Sequence, residues 1–152
     1  MSEPTAHDAP SAAPSLGNAE LDRQHELIFE RVAEAVAAMD GSRATAEAAL
    51  GRLADAFVEH FATEEALIDA SAFPEGARHR AAHELFHADF RQLQAALAEL
   101  GPTPELADWV RLRVAEWLRF HILVNDARLA DHLARHPLAK GASARAGASR
   151  RS

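Results

Sequence analysis

Apolar side chains recur at three- and four-residue intervals through four stretches of this chain, with short breaks between them. In the first stretch, residues 18–39, Leu21, His25, Ile28, Val32, Val36 and Met39 fall on one helical face. Asp40-Gly41 ends it, and Gly41 suits the left-handed position that follows a helix. Ser42 is placed to cap the second stretch, 43–70, whose stripe is Leu50, Leu53, Phe57, His60, Glu64, Leu67 and Ile68. Phe73-Pro74 marks a break. The period resumes over 75–100 with His79, His83, Phe86, Phe90, Leu93, Leu97 and Leu100, and Gly101-Pro102 stops it. Thr103-Pro104-Glu105 then reads as a cap, a first-turn proline and an early acid. The fourth stretch, 104–135, carries Leu106, Val110, Val114, Trp117, Leu118, His121 and Val124 before His136-Pro137 closes it. Strand signals are scarce and there is no internal repeat. Short connections make neighbouring helices antiparallel, so the pattern predicts an all-α, up-down-up-down four-helix bundle.

The 152 residues suffice for one domain with a sizeable core. Residues 16–138 are expected to form the bundle. Residues 1–15, rich in Ala, Pro and Ser, read as an N-terminal arm. Residues 139–152 read as a disordered tail with four basic side chains. A formal charge of −7, from 16 basic and 23 acidic residues, argues against a nucleic-acid partner. There is no Cys, which excludes disulfides, thiolate metal sites and thiol nucleophiles. Met1-Ser2-Glu3-Pro4 has no basic region leading into an apolar one, so no secretory signal is expected. No apolar run is long enough for a membrane span, and the cytoplasm is the default location.

The polar residues within the apolar stripes change the picture. They form the packets His60-x-x-x-Glu64, His79-x-x-x-His83 and His121-x-x-x-x-Asp126, with His25 alone on the first helix. Side chains four apart share a helix face, so a packet can aim two donors at one point. Alone, each packet would be a solvated pair or a satisfied core histidine. Together, on the core-facing stripes of four helices, they describe a metal site in a bundle core. The seven donors are too many for one first-row ion, so the pattern predicts two ions sharing bridging carboxylates. Imidazole and carboxylate without thiolate suit iron better than a structural zinc. The spacing of five between His121 and Asp126 is awkward, because residues five apart on a regular helix point about 140° apart. They converge if the turn widens locally, as a π-type bulge near Leu123–Asn125 would do, or if Asp126 approaches from the side as a bridge. The remaining histidines are weaker candidates. His7 lies in the arm, His87 is placed at the helix surface or as a partner to a ligand, and His132 and His136 lie at a helix C-terminus that favours cations.

Three stretches, LDRQHELIF, HFATEEALIDASAFPEGARHRAAHELF and WLRFHILVNDARL, resemble the hemerythrin family, specifically its single-domain bacterial members. The resemblance covers about residues 16–133. It implies an oxo- or hydroxo-bridged, non-haem di-iron centre. His79, His83 and His121 would bind one iron, His25 and His60 the other, and Glu64 and Asp126 would bridge both. The iron with two histidines would then have an open position for O2. Trp117, Leu118 and Ile122 match positions that line an apolar O2 pocket. The implied function is reversible O2 binding for storage, delivery or sensing. The alternatives are a di-iron redox enzyme, such as a peroxidase or nitric oxide scavenger, and an iron-storing bundle. Glu65, beside Glu64, and the open iron position keep the enzyme in play. The residues do not specify a reductase or an O2-consuming partner. The chain departs from the family pattern in having no Trp in the arm, and in Leu129 and Phe73 where Tyr is common. These changes bear on pocket access and hydrogen bonding, not on the ligands.

Overall fold

A computed structural model describes residues 13–138. The tail at 139–152 and the arm up to residue 12 lie outside the described residues. Four helices account for the bundle: α1 (Ala19–Ala38), α2 (Arg43–Ser71), α3 (Gly76–Leu100) and α4 (residues 104–135). Three of them start on a side-chain cap. Asn18 accepts from the Leu21 amide at 3.0 Å, Ser42 from Thr45 at 3.1 Å and Thr103 from Leu106 at 3.2 Å. Such a cap is worth about 1 kcal/mol, because it satisfies a backbone N–H that has no partner within the helix. Ahead of α1, the Asp22 carboxylate accepts from the Leu16 amide at 2.8 Å and from the Ser15 hydroxyl at 3.0 Å, which ties down the incoming chain.

The end of α1 differs from expectation. Gly41 is not left-handed. Among the described residues, positive φ occurs only at Gly17, Gly101 and Ala72. Instead, the amides of Met39, Asp40 and Gly41 donate to the carbonyls three residues back, at 3.0–3.2 Å. These tight turns already satisfy the last carbonyls, and the chain reaches the Ser42 cap without a reversal. The left-handed exit belongs to α2, at Ala72 (φ 51°, ψ 46°), where the Phe73 amide closes onto the Ile68 carbonyl at 3.2 Å.

Gly76 opens α3 against the end of α2. A Cβ there would stand 2.5 Å from Ile68 Cγ2, and Ile68 is buried. Only a residue without a side chain permits this approach. Gly76→Ala is therefore expected to destabilise the protein by about 1–3 kcal/mol, despite alanine's better helix propensity. Urea unfolding measures this, and an unchanged or raised midpoint would refute the close approach.

α4 is not one regular ladder. Ordinary α-helix at Pro104–Asp108, Ala115–His121 and Ala127–Arg135 alternates with π-helix at Trp109–Val114 and Ile122–Asp126. The second π segment is the widening that the His121–Asp126 spacing predicts. The first went unanticipated, yet its cause is in the sequence. Leu106, Val110, Val114, Leu118, Ile122, Asp126 and Ala130 repeat strictly every four residues, and all are buried. On a regular α-helix each such step drifts about 40° around the axis, which would carry the row out of the core. Two wider turns cancel the drift and keep the row facing inward.

The helices alternate in direction, so the start of α1, the end of α2, the start of α3 and the end of α4 meet at one end of the bundle. The opposite end is filled by aliphatic side chains such as Val32, Leu50, Leu53, Leu93, Leu97 and Val110. An aromatic layer separates the two ends: Phe86 lies 4.3 Å, ring centre to ring centre, from both Phe57 and Trp117. Among the described residues, no helix is long and apolar enough to cross a membrane.

Candidate metal centre

All seven donors singled out in the sequence meet at that end of the bundle, and none is more than 2% exposed. Each helix contributes from its inner stripe: His25 from α1, His60 and Glu64 from α2, His79 and His83 from α3, His121 and Asp126 from α4. They form two groups of converging donor atoms, one of Glu64, His79, His83 and His121, the other of His25, His60 and Asp126. The histidines turn Nε2 inward. The carboxylates tie the groups together. Asp126 Oδ2 lies 2.8 Å from His25 and 3.4 Å from His60, while its Oδ1 lies 2.9 Å from His121 and 3.2 Å from His79. Glu64 Oε1 lies 3.0 Å from His60 and 3.3 Å from His83, and its Oε2 lies 3.2 Å from His79. The π turn at Ile122–Asp126 brings Asp126 beneath His121.

These contacts are close, but many are not hydrogen bonds. Both Glu64 oxygens, Asp126 Oδ1 and His79 Nε2 are buried without a hydrogen-bond partner among the described residues. Their lone pairs aim at shared points between the side chains rather than at one another. The ring nitrogens of His25 and His60 stand 3.1 Å apart, and those of His83 and His121 stand 3.2 Å apart. Two facing lone pairs need a proton or a cation between them. Two buried carboxylates need positive charge nearby. A set of nitrogen and oxygen donors with no thiolate, already desolvated and convergent, fits borderline divalent or trivalent first-row metals.

Titration properties follow the same logic. Burial would push the His60 and His79 imidazoles down, but Glu64 and Asp126 outweigh it and hold both up at about 9. His121 is likewise raised against the effect of burial. For His83 burial wins, and its imidazole is pushed down. Burial and mutual repulsion raise the carboxylates, yet the surrounding imidazoles pull both Glu64 and Asp126 well below the usual carboxylate range. Without a metal ion, this pocket balances its charge with protons on histidine.

Residues 16–133 match the family described as the hemerythrin HHE cation binding domain. The chain belongs to the hemerythrin family. It is 27% identical to a bacteriohemerythrin of Stenotrophomonas maltophilia over 117 residues, covering 76% of this chain and 74% of that protein. It is also 27% identical to a bacteriohemerythrin of Pseudomonas aeruginosa over 121 residues, covering 79% of this chain and 76% of that one. No solved structure gives a significant match.

Around this hemerythrin centre lie residues of three kinds. Phe61 stacks on His83 with ring centres 3.8 Å apart, and Trp117 stacks on His121 at 4.6 Å, so two imidazoles are held flat against aromatic faces. Leu118 and Ile122 are fully buried beside them in the core. Gln24 and Asn125 are polar supports that the sequence reading missed. Gln24 Oε1 lies 2.8 Å from His60 Nδ1, and the Asn125 amide lies 2.8 Å from His121 Nδ1. Each carried a signal: Gln24 is a polar residue on the Leu21–Ile28 stripe, and Asn125 sits one turn beyond His121. Outside the cluster, Glu65 is partly exposed and stands on the outer side of His83, 3.7 Å from Nδ1. His87 belongs to neither donor group and packs edge-on against Phe61 at 5.1 Å. His132 hydrogen-bonds the Ser71 carbonyl at 3.0 Å, which joins the end of α4 to the end of α2.

Proposed function

We propose that this hemerythrin holds two iron ions and binds O2 reversibly, for storage, delivery or sensing. His79, His83 and His121 would hold one ion, His25 and His60 the other, and Glu64 and Asp126 would bridge both. The observation that carries the reading is the division of Asp126, whose two oxygens face different histidine sets at 2.8–2.9 Å. A carboxylate so placed joins two cations rather than serving one. The two sets are unequal, with three imidazoles against two. The two-histidine position is therefore one protein donor short and can accept a small ligand. Two iron ions held by these residues would supply the two-electron exchange that reversible O2 binding requires.

The protein's part is to keep that exchange reversible. Phe61 and Trp117 face His83 and His121, and Leu118 and Ile122 are buried in the same core, apolar surface that would keep water and stray protons away. Among the described residues, the only buried polar side chain besides these seven donors is Gln24, an amide with no acidic proton to drive O–O cleavage. The test is optical. Iron-loaded, reduced protein is exposed to O2 and then flushed with argon. A ligand-to-iron charge-transfer band that appears and then disappears, over repeated cycles, is the expected result. One-way conversion to the oxidised centre, with no recoverable band, would overturn the reading.

A further inference from the structure

We propose that Glu20 and Gln24 form a relay from the protein surface that fixes the proton position of His60 and thereby sets the metal affinity of the two-histidine position. The inference rests on the metal-holding reading of the centre. Counting hydrogens fixes the direction of each bond. Gln24 is 3% exposed. Its Nε2 lies 2.9 Å from Glu20 Oε1 and 2.9 Å from Thr63 Oγ1. The Glu20 carboxylate accepts only, so it must face the amide nitrogen. The Thr63 hydroxyl spends its one hydrogen on the Glu59 carbonyl at 3.0 Å, so toward Gln24 it too must accept. Both hydrogens of the Gln24 amide are thus committed, and its orientation is fixed.

Gln24 Oε1 is then left facing His60 Nδ1 at 2.8 Å. An amide oxygen only accepts, so Nδ1 must carry the hydrogen. In the neutral ring this leaves Nε2 with its lone pair aimed at the carboxylates and at the adjacent His25 ring. His60 is therefore held in the tautomer a metal requires. By contrast, His25, the other imidazole of this position, has no hydrogen-bond partner on Nδ1 among the described residues. Orientation of the two-histidine position thus rests on Gln24. Glu20 lies at the surface, with its side chain 53% exposed and paired to Arg23 at 2.8 Å. Its negative charge polarises the Gln24 amide, makes Oε1 a stronger acceptor and makes His60 a stronger donor to a cation. A surface carboxylate thus reaches a fully buried ligand through one intervening side chain.

Cobalt(II) is the probe, because it reports ligation without O2 chemistry and shifts the N–H protons of bound imidazoles far from other resonances. Cobalt titration of the wild-type protein is compared with Gln24→Leu, Gln24→Glu and Glu20→Gln, with circular dichroism as the check on folding. In Gln24→Leu one shifted N–H signal should be lost to solvent exchange, and the affinity of one of the two cobalt ions should fall about 10- to 100-fold. Gln24→Glu still accepts from His60 Nδ1 but offers no hydrogen to Glu20, so it should restore the signal and only part of the affinity. Glu20→Gln should keep the signal and weaken the same ion by less. A Gln24→Leu protein with both affinities and every N–H signal intact would overturn the relay while leaving the metal centre standing. Equal weakening of both ions in Gln24→Leu, without rescue by Gln24→Glu, would reduce Gln24 to a packing role and also overturn it. A wild-type protein that takes up no cobalt would instead defeat the metal-holding reading itself, and the relay with it.

Discussion

Glu64→Ala is expected to yield a protein that holds fewer than two iron ions per chain and unfolds about 3–5 kcal/mol more easily than the wild type. Two effects combine. Glu64 is fully buried, and its oxygens lie 3.0–3.3 Å from His60, His83 and His79. Removing it would take away the proposed bridge and leave Asp126, 3.2 Å from His79 and 3.4 Å from His60, as the remaining buried counter-charge for these imidazoles. It also empties the space of a glutamate side chain inside a packed end of the bundle, which adds a cavity contribution of the kind seen for large-to-small core changes. Iron is counted after loading, and stability is measured by urea unfolding of the loaded proteins. Full iron occupancy with wild-type stability would show that Glu64 is not a bridge. Glu64→Asp keeps the charge but shortens the reach, and should fall between the two.

The pH dependence of stability should reverse in sign when metal is bound. In the metal-free protein, His60 and His79 rise from 6.5 to about 9 on folding. Groups raised in this way add stability that is fully present below pH 6.5 and is lost as pH climbs through about 9. Glu64 and Asp126 are depressed on folding. Their contribution is present above their unfolded values of 4.5 and 3.8 and fades as pH falls toward the depressed values. The metal-free protein should therefore be most stable between about pH 4.5 and 6.5 and weaken toward pH 9. Metal binding needs neutral imidazoles, so cations and protons compete for the same nitrogens. The loaded protein should gain stability over the range in which the metal-free one loses it. Loading at pH 7 should release protons, chiefly from His60 and His79 and with a contribution from His121. Calorimetry in buffers of different ionisation heat counts them. No proton release, or parallel pH profiles for the two forms, would contradict the assignment of these histidines.

Much of this molecule was legible in its sequence, because buried polar residues on an amphipathic helix leave a clear trace. His25, His60, Glu64, His79, His83, His121 and Asp126 stood out as polar interruptions of apolar stripes, and folding brings all of them together. The widening at Ile122–Asp126 was legible too, since a five-residue spacing between two inward donors admits few other solutions. Three things were not. The π segment at Trp109–Val114 follows from a strict four-residue row, but Val110 and Val114 are also compatible with an ordinary helix until the whole row from Leu106 to Ala130 is seen buried. Gly41 looked like a left-handed exit, but its neighbours close the helix by tighter turns, and Ala72 takes that conformation instead. Gln24 was hidden because its partners Glu20, Thr63 and His60 lie on two helices, and only tertiary contact reveals that its amide has one possible orientation.

The proposed function depends most on the two metal positions forming a single bridged centre. Mössbauer spectroscopy of oxidised protein loaded with iron-57, recorded with and without an applied field, tests this most directly. Two irons per chain, with a diamagnetic ground state from coupling through the shared bridges, is the result expected from the placement of Glu64 and Asp126 between the donor groups. Magnetically split spectra of isolated ferric ions, or a single iron per chain, would contradict it.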